Sequence, residues 1–212
     1  MRGDLIGATA AAALLLAGVA HGEVPAAQAA PERLVMLRYP GAPWKQITDK
    51  RDPARGAWNH ESIPADQTVD TFTDIISDQG YPWLAGADPA AFLKGIFARA
   101  PASCDGVRVA GPFARTEGGF KVAYGQLYCG QQHGKPFGVI TFYKAISGDA
   151  ALYSINRDFQ TPASPNGAVL SFPKGQEAKA MALLKAQSIG DQYFAEQVYL
   201  CGGRSTDERC GK

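Results

Sequence analysis

Phe120-Lys-Val-Ala-Tyr-Gly-Gln-Leu-Tyr-Cys129 is followed by Phe137-Gly-Val-Ile-Thr-Phe-Tyr-Lys144 and then by Leu152-Tyr-Ser-Ile-Asn-Arg-Asp-Phe159. In the first stretch Phe120, Val122, Tyr124, Gln126 and Tyr128 alternate with Lys121, Ala123, Gly125, Leu127 and Cys129, the period of two that marks a strand with unequal faces. The second stretch is rich in β-formers and covered on both faces, and the third carries Tyr153, Ile155, Arg157 and Phe159 on one side. Gly130 to Lys135 and Ser147-Gly148-Asp149 supply the turn residues between them. Three strands joined by short turns must run antiparallel, so these forty residues predict a meander around which the rest is arranged.

Upstream, Leu5 to Ala20 is an uninterrupted apolar or small run behind Arg2, which reads as the hydrophobic region of a secretory signal. Small-x-small sites at Ala20-His21-Gly22 and Ala27-Gln28-Ala29 place cleavage after Gly22 or after Ala29. The run is shorter than the roughly 20 apolar residues of a spanning helix and lacks a basic stop-transfer flank, so no stable membrane span is expected in the mature form. The expected organisation is a signal peptide over 1–29 and one α+β domain over 30–212, periplasmic or secreted, with a C-terminal helix and a disulfide-closed tail.

The 21 Lys plus Arg residues nearly cancel the 20 Asp plus Glu. They are scattered as well, which excludes the strong basic field that nucleic acid would require. Cys104, Cys129, Cys201 and Cys210 favour disulfides in an exported chain, and of three pairings the sequence-local one, Cys104 with Cys129 and Cys201 with Cys210, is the simplest. Zinc is disfavoured, because no two cysteines stand in one tight turn.

Taken in order, Arg33 to Arg38, Trp44 to Thr48 and Trp58 to Ile63 read as short strands, with Asp49 to Gly56 as a loop. Thr68 as N-cap, Val69, Phe72, Ile75 and Ile76 at helical spacing, and Gly80 as C-cap predict an amphipathic helix. Asp88-Pro89 opens a second helix, running to about Ala100 with Phe92, Leu93, Ile96 and Phe97 inward. Val107 to Pro112 is a further strand. Gln176 to Leu200 reads as a helix with Met181 and Leu184 on one stripe and Phe194 and Val198 on another, broken or bent at Ser188-Ile-Gly190. The sum is an α+β fold in which helices flank an antiparallel sheet.

Trp58-Asn-His-Glu-Ser-Ile-Pro64 with the run Thr73-Asp-Ile-Ile-Ser77, and Phe142-Tyr-Lys-Ala-Ile-Ser-Gly-Asp149 with Tyr153, resemble a group of uncharacterised exported proteobacterial proteins. More remotely, the order of strand, Pro-terminated turn, helix and meander is similar to the Mog1/PsbP-like α/β/α sandwich. That resemblance implies a binding or assembly role and carries over no catalytic residue.

No nucleophile and base are spaced as a catalytic motif. His60 beside Glu61 is the most suggestive pair, but neighbours on a strand point to opposite faces. Asp70, Asp74 and Asp78 would share one face of the expected helix, where a solvated polar face explains them as well as a calcium site does. Tyr124, Tyr128, Tyr143 and Tyr153 are candidates to line a groove. Arg157, midway along an apolar face, must be paired or must face a cleft, and Asp74 and Glu61 are the acidic neighbours within expectation. The residues thus form a binding set of Arg157, Tyr153, Tyr143, Tyr124, Tyr128 and His60, with no cofactor. The expected role is a non-catalytic periplasmic binding or envelope-assembly module for an unknown envelope protein or small ligand. The alternative is a small secreted hydrolase or metal-dependent enzyme using His60.

Overall fold

The computed structural model describes residues 30–37, 43–69, 71–166, 174–175 and 177–211. The expected signal peptide lies outside the described residues. The strands are β1 (Arg33–Met36), β2 (Trp44–Asp52), β3 (Ala57–Pro64), β4 (Asp74–Tyr81), β5 (Cys104–Asp105), β6 (Arg108–Glu117), β7 (Phe120–Cys129), β8 (Gln131–Gln132), β9 (Phe137–Ser147), β10 (Leu152–Pro162) and β11 (Val198–Cys201). Helix α1 (Pro89–Arg99) precedes β5, and helix α2 (Glu177–Glu196) precedes β11.

The meander forms as its alternation and turns require, with β7, β9 and β10 as adjacent antiparallel strands. They sit inside a seven-stranded antiparallel sheet of order β2-β3-β4-β10-β9-β7-β6. Register fixes the two faces, because Tyr124 stands opposite Lys144 and Lys144 opposite Ile155. On that face Phe120, Val122, Phe142, Ile146, Ile155 and Phe159 make the larger core with Tyr193 and Phe194 of α2 and Val198 and Leu200 of β11. On the opposite face Ala123, Leu127 and Ala145 receive Leu93, Phe97 and Ala100 from α1 and its exit. Asp88 caps α1 by accepting from the Ala90 N–H at 2.9 Å, as its Asp-Pro start predicts. Phe97 reaches the sheet because Gly125 leaves room: a Cβ there would stand 2.6 Å from its ring.

The segment expected to be the first helix is instead β4, hydrogen-bonded between β3 and β10. Ile75 and Ile76 fit a strand covered on both sides, while Val69, which the helical spacing counted as inward, is 59% exposed. Two aspartates in an inner strand are tolerated because neighbouring strands bring them partners, and that tertiary supply overrides local propensity. Asp70 lies outside the described residues.

The C-terminal helix also differs from expectation. It ends at Glu196, without a break at Ser188 to Gly190, and Val198–Cys201 is a strand paired antiparallel with β1, Leu34 opposite Leu200. Met181 and Leu184 are exposed, and Tyr193 and Phe194 enter the core. Asp49 to Asp52, expected as loop, belongs to β2, and β6 continues past Pro112 to Glu117.

Both local disulfides are present, with Cα atoms 5.4 Å apart in each pair. One ties the exit of α1 to the end of β7, and the other closes the tail onto β11. A further tie comes from Lys144, fully buried on β9, whose Nζ donates to the Phe194 and Val198 carbonyls at 2.8 and 2.7 Å and to Glu117 at 2.7 Å. The lysine thus satisfies the Phe194 carbonyl in the last turn of α2 and the Val198 carbonyl at the start of β11. Burial lowers the Lys144 pKa while the Glu117 charge opposes it. Burial works to raise the Glu117 carboxyl, but Lys144, Tyr124 and Arg115 outweigh it and hold it below its ordinary value.

Candidate functional site

Trp58, His60 and Ser62 fall on one face of β3 by alternation, and the register sets Trp58 opposite Gly80 and His60 opposite Asp78 on β4. One strand further, Tyr153 of β10 lies opposite Gly80. The β1 strand passes over this corner of the sheet and contributes Leu34 and Met36, with Glu32 just before it. Together Glu32, Leu34, Met36, Trp58, His60, Asp78 and Tyr153 line an open cleft of about 460 Å³.

Its polar groups are organised around Asp78. One oxygen, Oδ2, accepts from Trp58 Nε1 at 3.1 Å and stands 2.9 Å from His60 Nδ1. The other ring nitrogen of His60 lies 3.4 Å from Asp49 Oδ1 and 3.4 Å from Arg51 Nη2. With Nδ1–H donated to Asp78, Nε2 is left as the acceptor facing Arg51. Glu32 accepts from the Ala150 N–H at 2.9 Å and from the Tyr153 hydroxyl at 3.3 Å, which anchors the approach to β1 on the turn after β9. Burial, with the Glu32 charge adding to it, pushes the Tyr153 phenol above its ordinary range, so it stays a donor. The Trp58 and Tyr153 rings stand 5.8 Å apart, inclined at 59°.

Of the residues singled out in the sequence, Tyr153 and His60 are brought together here. Glu61 points to the other face, as alternation requires, and accepts from Thr48 at 2.7 Å. Arg157 shares the face of Tyr153 but is buried, with Nε donating to Asp74 at 2.9 and 3.0 Å and the guanidinium 4.6 Å from the centre of the Phe159 ring. Burial raises the Asp74 carboxyl, and the Arg157 hydrogen bonds and charge pull it back only in part. Tyr124 donates to Glu117 at 2.7 Å beside Lys144, and Tyr128 packs against the larger core. Tyr143 is on the opposite face against Phe97. The four tyrosines therefore do not line one groove.

On that opposite face, Asp158 accepts from Asn156 at 3.2 Å, and its carboxyl is pushed up to about 6 by burial, against hydrogen bonds from Thr141 and Asn156 and with the charges of Asp74 and Glu61 adding to the rise. A second open depression, of about 380 Å³, lies by the β2–β3 hairpin between Lys50, Asn59, Gln79 and Tyr81.

Sequence reasoning missed Trp58, Asp78, Glu32, Leu34 and Met36 as members of the cleft. Alternation along β3 already paired Trp58 with His60 on one face, so that signal was present. Asp78 was hidden by the helical reading of its strand. No protein-family model and no curated protein matches the chain. Among solved structures, the chain is similar to the crystal structure of LpqN, described as involved in cell envelope biogenesis of Mycobacterium tuberculosis, at 15% identity and a TM-score of 0.37, over 85% of this chain and 87% of that one.

Proposed function

We propose that this chain is an exported, non-catalytic binding module that holds its ligand in the cleft between β1 and the β3, β4 and β10 strands. The observation that carries the reading is the cleft: about 460 Å³, within the roughly 300–1,000 Å³ of typical ligand sites, with Leu34, Met36, Trp58 and Tyr153 as walls and a few converging polar groups. Export is supported by the Leu5 to Ala20 run and by two disulfides. Helices α1 and α2 cover opposite faces of the sheet, an α+β arrangement compatible with a binding module, but the segment read as the helix of the Mog1/PsbP-like order is the strand β4, so that resemblance lends the reading no support.

A second reading has one observation in its favour. His60 and Asp78 make a hydrogen-bonded pair of the kind that orients a general base. Against it, the remaining ring nitrogen is flanked by Asp49 and Arg51, and among the described residues no Ser, Thr or Cys lines the cleft.

Native mass spectrometry of protein recovered from an exporting host tests the binding reading. A bound small molecule is expected on the unaltered chain and absent from Leu34→Trp, which fills the cleft. The same spectra should show an N-terminus between His21 and Ala30. A ligand retained by Leu34→Trp overturns the site, and a turnover abolished by His60→Gln turns the assignment to an enzyme.

A further inference from the structure

We infer that the cleft selects an organic ammonium group carried on a small apolar body. This rests on the binding reading above and names the chemistry of its ligand. Two carboxylates, Glu32 and Asp78, line the cleft, and among the described residues neither lies within ion-pair distance of a lysine or arginine. The Glu32 partners are the Asp149 and Ala150 N–H groups and the Tyr153 hydroxyl, neutral donors that fix its position without cancelling its charge. Asp78 spends one oxygen on both Trp58 and His60, and its Oδ1 accepts no hydrogen bond among the described residues. Its one ionic neighbour, His60, is shared with Asp49.

The walls between these carboxylates are the two inclined aromatic rings, Trp58 and Tyr153, and the aliphatic Leu34 and Met36. Aromatic faces attract cations through the ring quadrupole, and alkylated ammonium groups are the cations whose weak hydration lets them leave water for such a place. An anion would meet two carboxylates, of which Glu32 has only neutral donors as partners. A neutral apolar ligand would fill the walls while stripping water from Asp78 Oδ1 with nothing in return. Ammonium on an apolar body answers both the charge and the walls.

Choline and its neutral isostere, in which tert-butyl replaces trimethylammonium, separate the contributions when each is titrated into the intact protein and followed by nuclear magnetic resonance shifts of the Trp58 indole N–H. Choline is expected to saturate and to bind at least roughly tenfold more tightly than the isostere, with Asp78→Asn and Glu32→Gln each weakening choline by roughly tenfold and Glu32→Gln lowering the preference for choline over the isostere. Since Asp78→Asn also disturbs Trp58 and His60, Glu32→Gln is the cleaner variant, and thermal melts confirm that both fold. Equal binding of the two probes overturns the ammonium inference and leaves an apolar binding cleft standing. Saturation by neither, with a Leu34→Trp-sensitive ligand still found on the purified protein, overturns the inference alone. Choline binding that survives Leu34→Trp places the cation elsewhere and overturns it too.

Discussion

The indole of Trp58 lies across Gly80 on the adjacent strand, so close that a Cβ built on the glycine would stand 2.0 Å from the ring. That contact gives the indole its seat, from which Nε1 reaches Asp78 and the ring reaches Tyr153. Gly80→Ala should displace the ring and cost about 1–3 kcal/mol, the usual range for overpacking. Thermal denaturation together with the indole N–H resonance checks this. An unchanged melt and an unmoved resonance would mean that the glycine is not required for the seat.

Arg157 and Asp74 should behave as a structural unit. Arg157→Ala leaves a buried carboxylate without its partner and is expected to lose about 3–5 kcal/mol in urea unfolding, whereas Arg157→Met combined with Asp74→Leu should recover most of it. An Arg157→Ala protein with a native midpoint and lost ligand would return the arginine to the binding set.

Asp158 predicts a pH dependence of stability. Its folded pKa of about 6 is above the reference 3.8, so between these values the folded chain binds more protons than the unfolded one. Stability therefore falls as pH rises from about 4 to about 6, by up to roughly 3 kcal/mol from this group. The charged carboxylate remains a full cost at neutral pH. Asp158→Asn should flatten that segment of the stability-against-pH curve and raise stability at pH 7. A wild-type curve without such a fall would refute it.

Removing the disulfides singly should give unequal losses. On chain-entropy grounds the Cys104–Cys129 bridge, closing 25 residues, is worth about 3.5 kcal/mol, and Cys201–Cys210, closing 9, about 2.6 kcal/mol. Paired serine variants measured by chemical denaturation should fall in that order, and the reverse order would show that the tail bridge matters through its packing against β11.

What the sequence made legible was local. The β7, β9 and β10 alternation, the turn glycines, the Asp88 cap and the nearby cysteine pairs all resolve within a few residues or one loop, and each was readable. The β4 strand was not, because its two aspartates are explained only by Arg157, 83 residues away, and by Trp58 and His60, 20 and 18 residues away. Gly80 read as the stop of a helix for the same reason, since nothing local announces that an indole from another strand will occupy its empty side. Of the seven residues lining the cleft, Tyr153 and His60 were legible, whereas Glu32, Leu34 and Met36 depend on β1 meeting β11, a pairing with no local signature.

That pairing makes one wall of the cleft depend on a distant part of the chain. Leu34 and Met36 are held by a ladder with Leu200 and Val198, more than 160 residues further along the chain. The wall opposite Trp58 is in place only once β1 has paired with β11, which follows α2. Loss of the β11 ladder therefore opens the cleft even where every residue that lines it is intact.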